Sequence, residues 1–472
     1  MPQTPASSSP HLSIFLEHPV TGLAHKPGDT ITGLITRTAQ GVAPEARVTV
    51  SLHGRTKTKL QIRRGQNTHT YRSSFNALSA MSPEDQRDQA QVLAAGAPIH
   101  IPAGGQGESW RFSLRIPEVV GDVRDKWQRK YFYSPAAAGG GAGEEVFPPP
   151  GTFYWEGDNW FTGKRGHGFT EYYVEAKIQL LKEGKPSVHV AVAPFPLRNV
   201  YAGLPVRDFG IRPCVKRTVI QAYRLSPGYG DAKLSFGQKT RQMFGSSKVP
   251  RLTLNVTMGL PSFLQVDNPN IVPVTMRIDP IPETNLTSEE LFDIPQDVVI
   301  KSFSLRIKPR TALQAERHGF DRSSAEVNLL PTGAYAFFRQ DLSISVTPTA
   351  ASESKSAGGH TINFGEGLGI RIPERGLHHD LLTYNIVRSH ELIWEVQGVV
   401  AGEDFKMGSS QPVRILPGPE ISSEPVPGPA PGPAAAQDDE IKEGELPGYK
   451  EATGDQVPEV PPEKQAPPDY KA

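Results

Sequence analysis

Leu252-Thr253-Leu254-Asn255-Val256-Thr257-Met258 places apolar residues at every second position with polar ones between them. Successive side chains of a strand point to opposite faces, so this stretch predicts one face on a core and the other toward water. The same alternation recurs along the chain. Val48-Thr49-Val50-Ser51-Leu52 and Phe112-Ser113-Leu114-Arg115-Ile116 carry it in the first half. Tyr172, Val174, Ala176, Ile178 and Leu180 share one face, opposite Glu175, Lys177 and Gln179. Phe303-Ser304-Leu305-Arg306-Ile307 and Leu342-Ser343-Ile344-Ser345-Val346 carry it in the second half. Turn-forming punctuation falls between the runs, at Lys26-Pro27-Gly28-Asp29, Asp267-Asn268-Pro269-Asn270 and Lys308-Pro309-Arg310. Short half-buried strands at this spacing predict an all-β chain built of β-sandwiches.

Composition agrees with that reading. Hydrophobic residues make up 37% of 472, while Gly and Pro contribute 45 each, a balance suited to short strands, many turns and a disordered segment. The formal charge is zero but unevenly spread: Pro417–Ala472 holds 12 acids against 4 lysines, so an acidic tail follows a basic body. The single cysteine, Cys214, excludes an intramolecular disulfide framework. No apolar run reaches the roughly 18 residues that span a bilayer, and the polar stretch Met1–Pro10 does not read as a signal peptide. The expectation is a cytoplasmic protein that can sit at membranes without crossing them. Asn255-Val256-Thr257 and Asn285-Leu286-Thr287 fit the glycosylation pattern and, without secretion, are read as chance.

The expected organisation is a disordered N-terminus over 1–10, a β-sandwich over 11–200, a hinge and second β-sandwich over 201–416, and a disordered Pro-rich tail over 417–472. Tyr133–Gly151, with its Gly/Ala run and Pro148-Pro149-Pro150, reads as a long loop within the first half. The hinge falls in Ala193–Val215, rich in Pro and Arg. Ser82–Ala95 opens Ser-Pro-Glu-Asp like a capped first turn and predicts a short helix. In the tail, alternation stops and too little apolar surface remains to offset chain entropy.

The tail carries the main binding signal. Pro467-Pro468-Asp469-Tyr470 is a PPxY motif: two prolines pre-set a polyproline II ribbon, and its three-residue period brings Tyr470 to the same face. Such ribbons dock in the aromatic grooves of WW domains. Leu446-Pro447-Gly448-Tyr449 is an LPxY version with one proline contact fewer. Two such anchors suit a partner with several WW domains.

Ordered local matches then resemble the fungal alpha-arrestins. Ile14-Phe15-Leu16, followed by His25-Lys26-Pro27-Gly28-Asp29-Thr30-Ile31-Thr32-Gly33, resembles that family's opening strand, PGD turn and second strand. Pro148-Pro149-Pro150-Gly151-Thr152-Phe153 sits where relatives have a PPSF-like segment before a Y-x-V/I-x-A strand, here Tyr172-Tyr173-Val174-Glu175-Ala176. Gly151-Thr152 departs from the serine usual there. Val249–Met258 and Ser389–Val396 resemble strands of the second domain. The resemblance covers about residues 11–416 plus the tail motif, and implies two tandem arrestin-like β-sandwich domains. It also implies an adaptor, not an enzyme, that recruits a HECT-type ubiquitin ligase through its WW domains to a plasma-membrane transporter or receptor. Ubiquitination and endocytosis of that cargo would follow. The family's buried charged network maps to no residues by sequence. An arrestin-like signalling scaffold and a retromer-like sorting subunit without ligase recruitment remain open.

Two basic stretches are candidate surfaces for acidic cargo segments or anionic lipid, with solvated strand faces as the bland reading. No acid falls between Glu45 and Glu84, where Arg55, Lys57, Lys59, Arg63 and Arg64 lie. None falls in Ala232–Val266, which holds Lys239, Arg241 and Lys248. Neither stretch interleaves bases with stacking aromatics or forms a recognition helix, so nucleic acid is not expected. Gly365-Glu366-Gly367-Leu368-Gly369 lacks the strand-to-helix context of a phosphate loop and predicts a turn before a strand Ile370-Arg371-Ile372. His378-His379 has no metal-ligand spacing and no GxSxG elbow occurs, so neither a metal, a cofactor nor a catalytic residue is expected.

Overall fold

The alternating runs become the strands of four sheets. A computed structural model describes residues 4–17, 24–78, 89–120, 148–182, 185–201, 203–229, 233–338, 342–349, 361–373 and 376–420. A three-stranded sheet holds β1 (Ser13–Leu16), β2 (Thr30–Arg37) and β6 (Glu108–Arg115). Facing it is a six-stranded sheet of β3 (Gly41–Arg64), β4 (Asn67–Asn76), β5 (Ala90–Ile101), β7 (Phe153–Asn159), β8 (Lys164–Lys182) and β9 (Lys185–Phe195). Their common core contains Ile31, Ile35, Val48, Leu114, Val174 and Ile178, each fully or almost fully buried. Antiparallel register places Val48 opposite Ile178 and Leu52 opposite Val174, so the period-2 pattern of each strand meets its neighbour's on the inner face.

The second half repeats the plan. One sheet runs β10 (Ile211–Gln221), β11 (Arg251–Pro261), β13 (Thr275–Pro280), β18 (Thr361–Asn363). The larger one contains β12 (Phe263–Gln265), β14 (Gln296–Ala315), β15 (His318–Ser323), β16 (Val327–Asn328), β17 (Leu342–Val346), β19 (Leu381–Leu382), β20 (Ile386–Val400) and β21 (Glu403–Leu416). Leu254, Val256, Leu305, Phe364 and Trp394 lie in the core between them, with Phe303 stacked on Phe364 at 4.3 Å. The α-helices among the described residues are short: α1 (Phe236–Met243), α2 (Ala334–Phe337) and α3 (Phe364–Leu368). The chain is thus all-β and β-sandwich-like, with one core in each half. Strands β9 and β10 occupy both ends of Ala193–Val215, leaving 196–210 as the connector.

Three expectations are corrected. Ala90–Ala95 belongs to β5 rather than a helix, because the first part of β3 needs a partner on its open edge and β5 supplies it; Ser82–Asp88 lies outside the described residues. Thr4–Pro10 is held in place: Ser7 bridges Val192, and Thr4 donates from N and Oγ1 to the Glu171 carboxylate at 2.7 and 2.6 Å. Gly365–Leu368 forms most of α3, capped by Asn363 Oδ1 and closed by Gly369 at φ +62°, and Ile370–Ile372 is not a strand. Most of the long-loop candidate Tyr133–Gly151, up to Phe147, lies outside the described residues.

A third apolar cluster joins the halves. Leu60 of β3 and Trp155 of β7 pack with Leu313 of β14, Phe320 of β15, Leu381 and Ile386. Gly166 and Gly168 on β8 permit the approach: a Cβ there would sit 2.7 Å from the Phe320 ring and 2.6 Å from Leu313. The two sandwiches therefore meet through bare backbone on one side and bulky side chains on the other. Thr58 Oγ1 donates to Gln314 O at 2.6 Å and accepts from Asn385 Nδ2 at 3.2 Å, so these buried groups of the seam satisfy one another, while Thr56 Oγ1 and Thr311 Oγ1 are buried without a hydrogen-bond partner among the described residues.

Candidate functional site

The long strand β3 builds the site by changing what its two faces meet. Thr56, Thr58, Leu60 and Ile62 are buried, Thr58 and Leu60 against the second half, so Arg55, Lys57 and Lys59 must emerge together on the opposite face. Cross-strand register extends that face: Lys59 lies between Arg72 of β4 and His167 of β8, and Lys57 between Ser74 and Phe169. Arg63 and Arg64 end the strand at an exposed tip.

The cations of this face differ electrostatically. Arg55 Nε donates to Glu171 Oε1 at 2.7 Å and its Nη2 to Thr4 Oγ1 at 2.6 Å, while its guanidinium lies 5.3 Å from the Tyr173 ring centre. Burial alone raises the Glu171 pKa, but donors from Thr4 and Arg55 outweigh it and hold the carboxyl below its ordinary value. Arg55 is therefore a neutralised structural cation. Lys57 is pushed down, first by burial and then by Arg55, with Glu171 opposing. No carboxylate lies within ion-pair distance of Lys57, Lys59, Arg63 or Arg64 among the described residues.

The second basic group stands apart. Lys239 and Arg241 lie on α1, an exposed helix begun by a Ser235–Gln238 capping box, and Lys248 follows it. Gln242 Nε2 anchors the helix to Glu403 Oε1 at 2.6 Å, at the turn where Val400 pairs with Val298. The first group instead sits near Leu313, at the other end of β14, about 50 Å of strand away at roughly 3.3 Å per residue. They form two surfaces. Pro467, Pro468, Tyr470, Leu446, Pro447 and Tyr449 lie outside the described residues.

The structure adds residues that sequence reasoning missed. Trp160 and Phe161, 79% and 83% exposed, form the tip between β7 and β8, their ring centres 4.4 Å apart. A Trp-Phe pair followed by Thr162-Gly163 between two alternating runs was the available signal. Glu171 left none, because its partner Arg55 is 116 residues distant. Beneath the tip a groove of about 350 Å³ is lined by Asn159, Thr162, Lys164, Leu313, Phe320 and Asp321. No three His, Cys, Asp or Glu side chains among the described residues could hold a metal ion, and no described helix is long and apolar enough to cross a membrane.

A polar cluster lies beside the seam. His390 Nδ1 and Asp380 Oδ1 are 2.6 Å apart, and buried Arg388 lies over the Phe153 ring at 5.8 Å. The last described residues return to the first half: Tyr201 N donates to Gly418 O at 2.8 Å, and Lys26 pairs with Glu420. Burial lowers the His378 and His379 pKa values from 6.5, with Arg388 and His390 adding to the effect and Asp380 opposing it at His379. Burial likewise lowers His25 and His167. A depressed folded pKa keeps its full stabilising effect above 6.5 and loses it as pH falls through the folded value. The melting temperature should therefore fall on acidification below pH 6.5, and a His378→Gln/His379→Gln variant should show a shallower fall in thermal melts. An unchanged slope would remove these histidines from the acid response.

No protein-family model matches the chain, and no curated protein matches it.

Proposed function

We propose that the chain is an alpha-arrestin-type trafficking adaptor that recruits a WW-domain HECT-type ubiquitin ligase to plasma-membrane cargo. The observation that carries the reading is the Pro467-Pro468-Asp469-Tyr470 motif, with Leu446-Pro447-Gly448-Tyr449 upstream, in an acidic Pro-rich tail after an all-β body. The two-cored β-sandwich-like body and its basic face on β3 support it. In this reading the body holds a transporter or receptor and the tail holds the ligase. Binding both converts ubiquitin transfer into an effectively intramolecular event, and the adaptor performs no chemistry. The cargo would then enter endocytosis.

Reconstituted ubiquitin transfer tests the reading. Adaptors of this kind become substrates of the ligase they recruit, so the full chain should acquire ubiquitin from a HECT ligase with intact WW domains. The Tyr449→Ala/Tyr470→Ala variant should acquire far less. Equal modification of both chains would overturn ligase recruitment and favour an arrestin-like scaffold.

A further inference from the structure

We propose that the paired tips of the β3–β4 and β7–β8 hairpins dock on an anionic lipid bilayer, with Trp160 and Phe161 entering the headgroup boundary. The two tips form one surface. Arg63 N donates to Gly163 O at 2.9 Å, and a Cβ on Gly163 would lie 3.2 Å from Arg63 Cβ. The β7–β8 tip is held by its own bonds: Thr162 N donates to Asn159 Oδ1 at 3.2 Å, and Gly163 N to Trp160 O at 3.3 Å, with Gly163 at φ +61°. Two large rings are thus presented to solvent by an ordered turn rather than folded back onto the groove beneath.

Charge complementarity selects the occupant. Arg63 and Arg64 flank the rings from one hairpin, and Lys164 follows them on the other. The nearby acids are already paired: Glu156 with Arg165, Asp158 with Arg322 at 2.9 Å, and Asp321 with Arg310. The tip therefore presents uncompensated positive charge around exposed Trp and Phe. That combination matches the membrane interface, where amphipathic rings sit at headgroup depth and basic side chains meet anionic lipid. A groove-filling peptide would instead use rings turned inward. The inference does not depend on the tail, so its failure would leave ligase recruitment untouched.

Sedimentation of the full chain with vesicles tests it. The wild type should partition onto phosphatidylcholine vesicles containing phosphatidylserine, and much less onto phosphatidylcholine alone. Trp160→Ala/Phe161→Ala should weaken partitioning at least about tenfold, as expected for losing two interfacial rings. Trp160→Phe should retain most of it. Arg63→Ser/Arg64→Ser should cost about fivefold per cation and flatten the salt dependence. Both pairs of side chains are exposed, so thermal melts should be unchanged. The proposal is overturned if the wild type ignores anionic vesicles, or if the ring variant binds them as the wild type does. It is equally overturned if Phe236→Ala/Phe244→Ala, at the start of the exposed helix α1 and just after its end, abolishes binding that the tip variant retains.

Discussion

Glu171→Ala should destabilise the chain by about 3 kcal/mol, the lower end of the cost of breaking a buried ion pair, because Arg55 keeps 29% of its side chain exposed. The carboxylate is 2% exposed and accepts from three donors, so its loss orphans Thr4 N as well as Arg55. Lys57 would also lose the one carboxylate that opposes its downward shift. Chemical denaturation should report the loss, and amide exchange across Thr4–Ser9 should accelerate as that segment detaches. The pH dependence follows from the same contacts. Glu171 has a folded pKa below the ordinary 4.5, so its contribution is complete above 4.5 and disappears as pH falls through the folded value. Glu171→Gln should therefore be less stable than wild type at neutral pH and lose less on acidification. Equal stability of the wild type and both variants would show that the buried pair is replaceable by solvent.

Much of the fold was legible because alternation is a local signal. Tyr172–Leu180 and Leu252–Met258 each specify their buried face without knowledge of the partner strand, and both became strands with that face inward. Long-range arrangement was not legible. In β3 the cations at 55, 57 and 59 drew attention, while the buried face opposite them includes two threonines, Thr56 and Thr58, which look solvent-compatible in sequence. Thr58 is bonded there to Gln314 and Asn385, and its neighbour Leu60 packs on Leu313, each more than 250 residues away. Of the Ser82–Ala95 expectation, Ala90–Ala95 failed because the open edge of β3 took Ala90–Ile101 as its partner.

The candidate surface was legible as composition but not as geometry. An acid-free stretch identified Arg55 with Lys57, Lys59, Arg63 and Arg64, yet only folding shows that Arg55 is neutralised by Glu171 while Arg63 and Arg64 reach a tip beside Trp160. Likewise Lys239, Arg241 and Lys248 belong to a separate end of the molecule. The proposed reading of the tail motifs rests on the spacing of Pro and Tyr along a ribbon, which requires no tertiary partner.

Calorimetric titration of the full chain with a ligase's tandem WW domains tests ligase recruitment most directly. In the proposed complex Tyr470 is the aromatic anchor of the complete motif, and truncating such an anchor typically costs about 2 kcal/mol, so Tyr470→Ala should weaken binding about 30-fold. Tyr449→Ala should cost less, since its motif lacks one proline. The two tyrosines can span up to about 65 Å at roughly 3.1 Å per extended residue, enough for two domains of one ligase to bind together and gain avidity. The double variant should lose both anchors and show no measurable binding, while Arg63→Ser/Arg64→Ser should bind as wild type. A wild-type chain that fails to bind, or tyrosine variants with unchanged affinity, would contradict ligase recruitment.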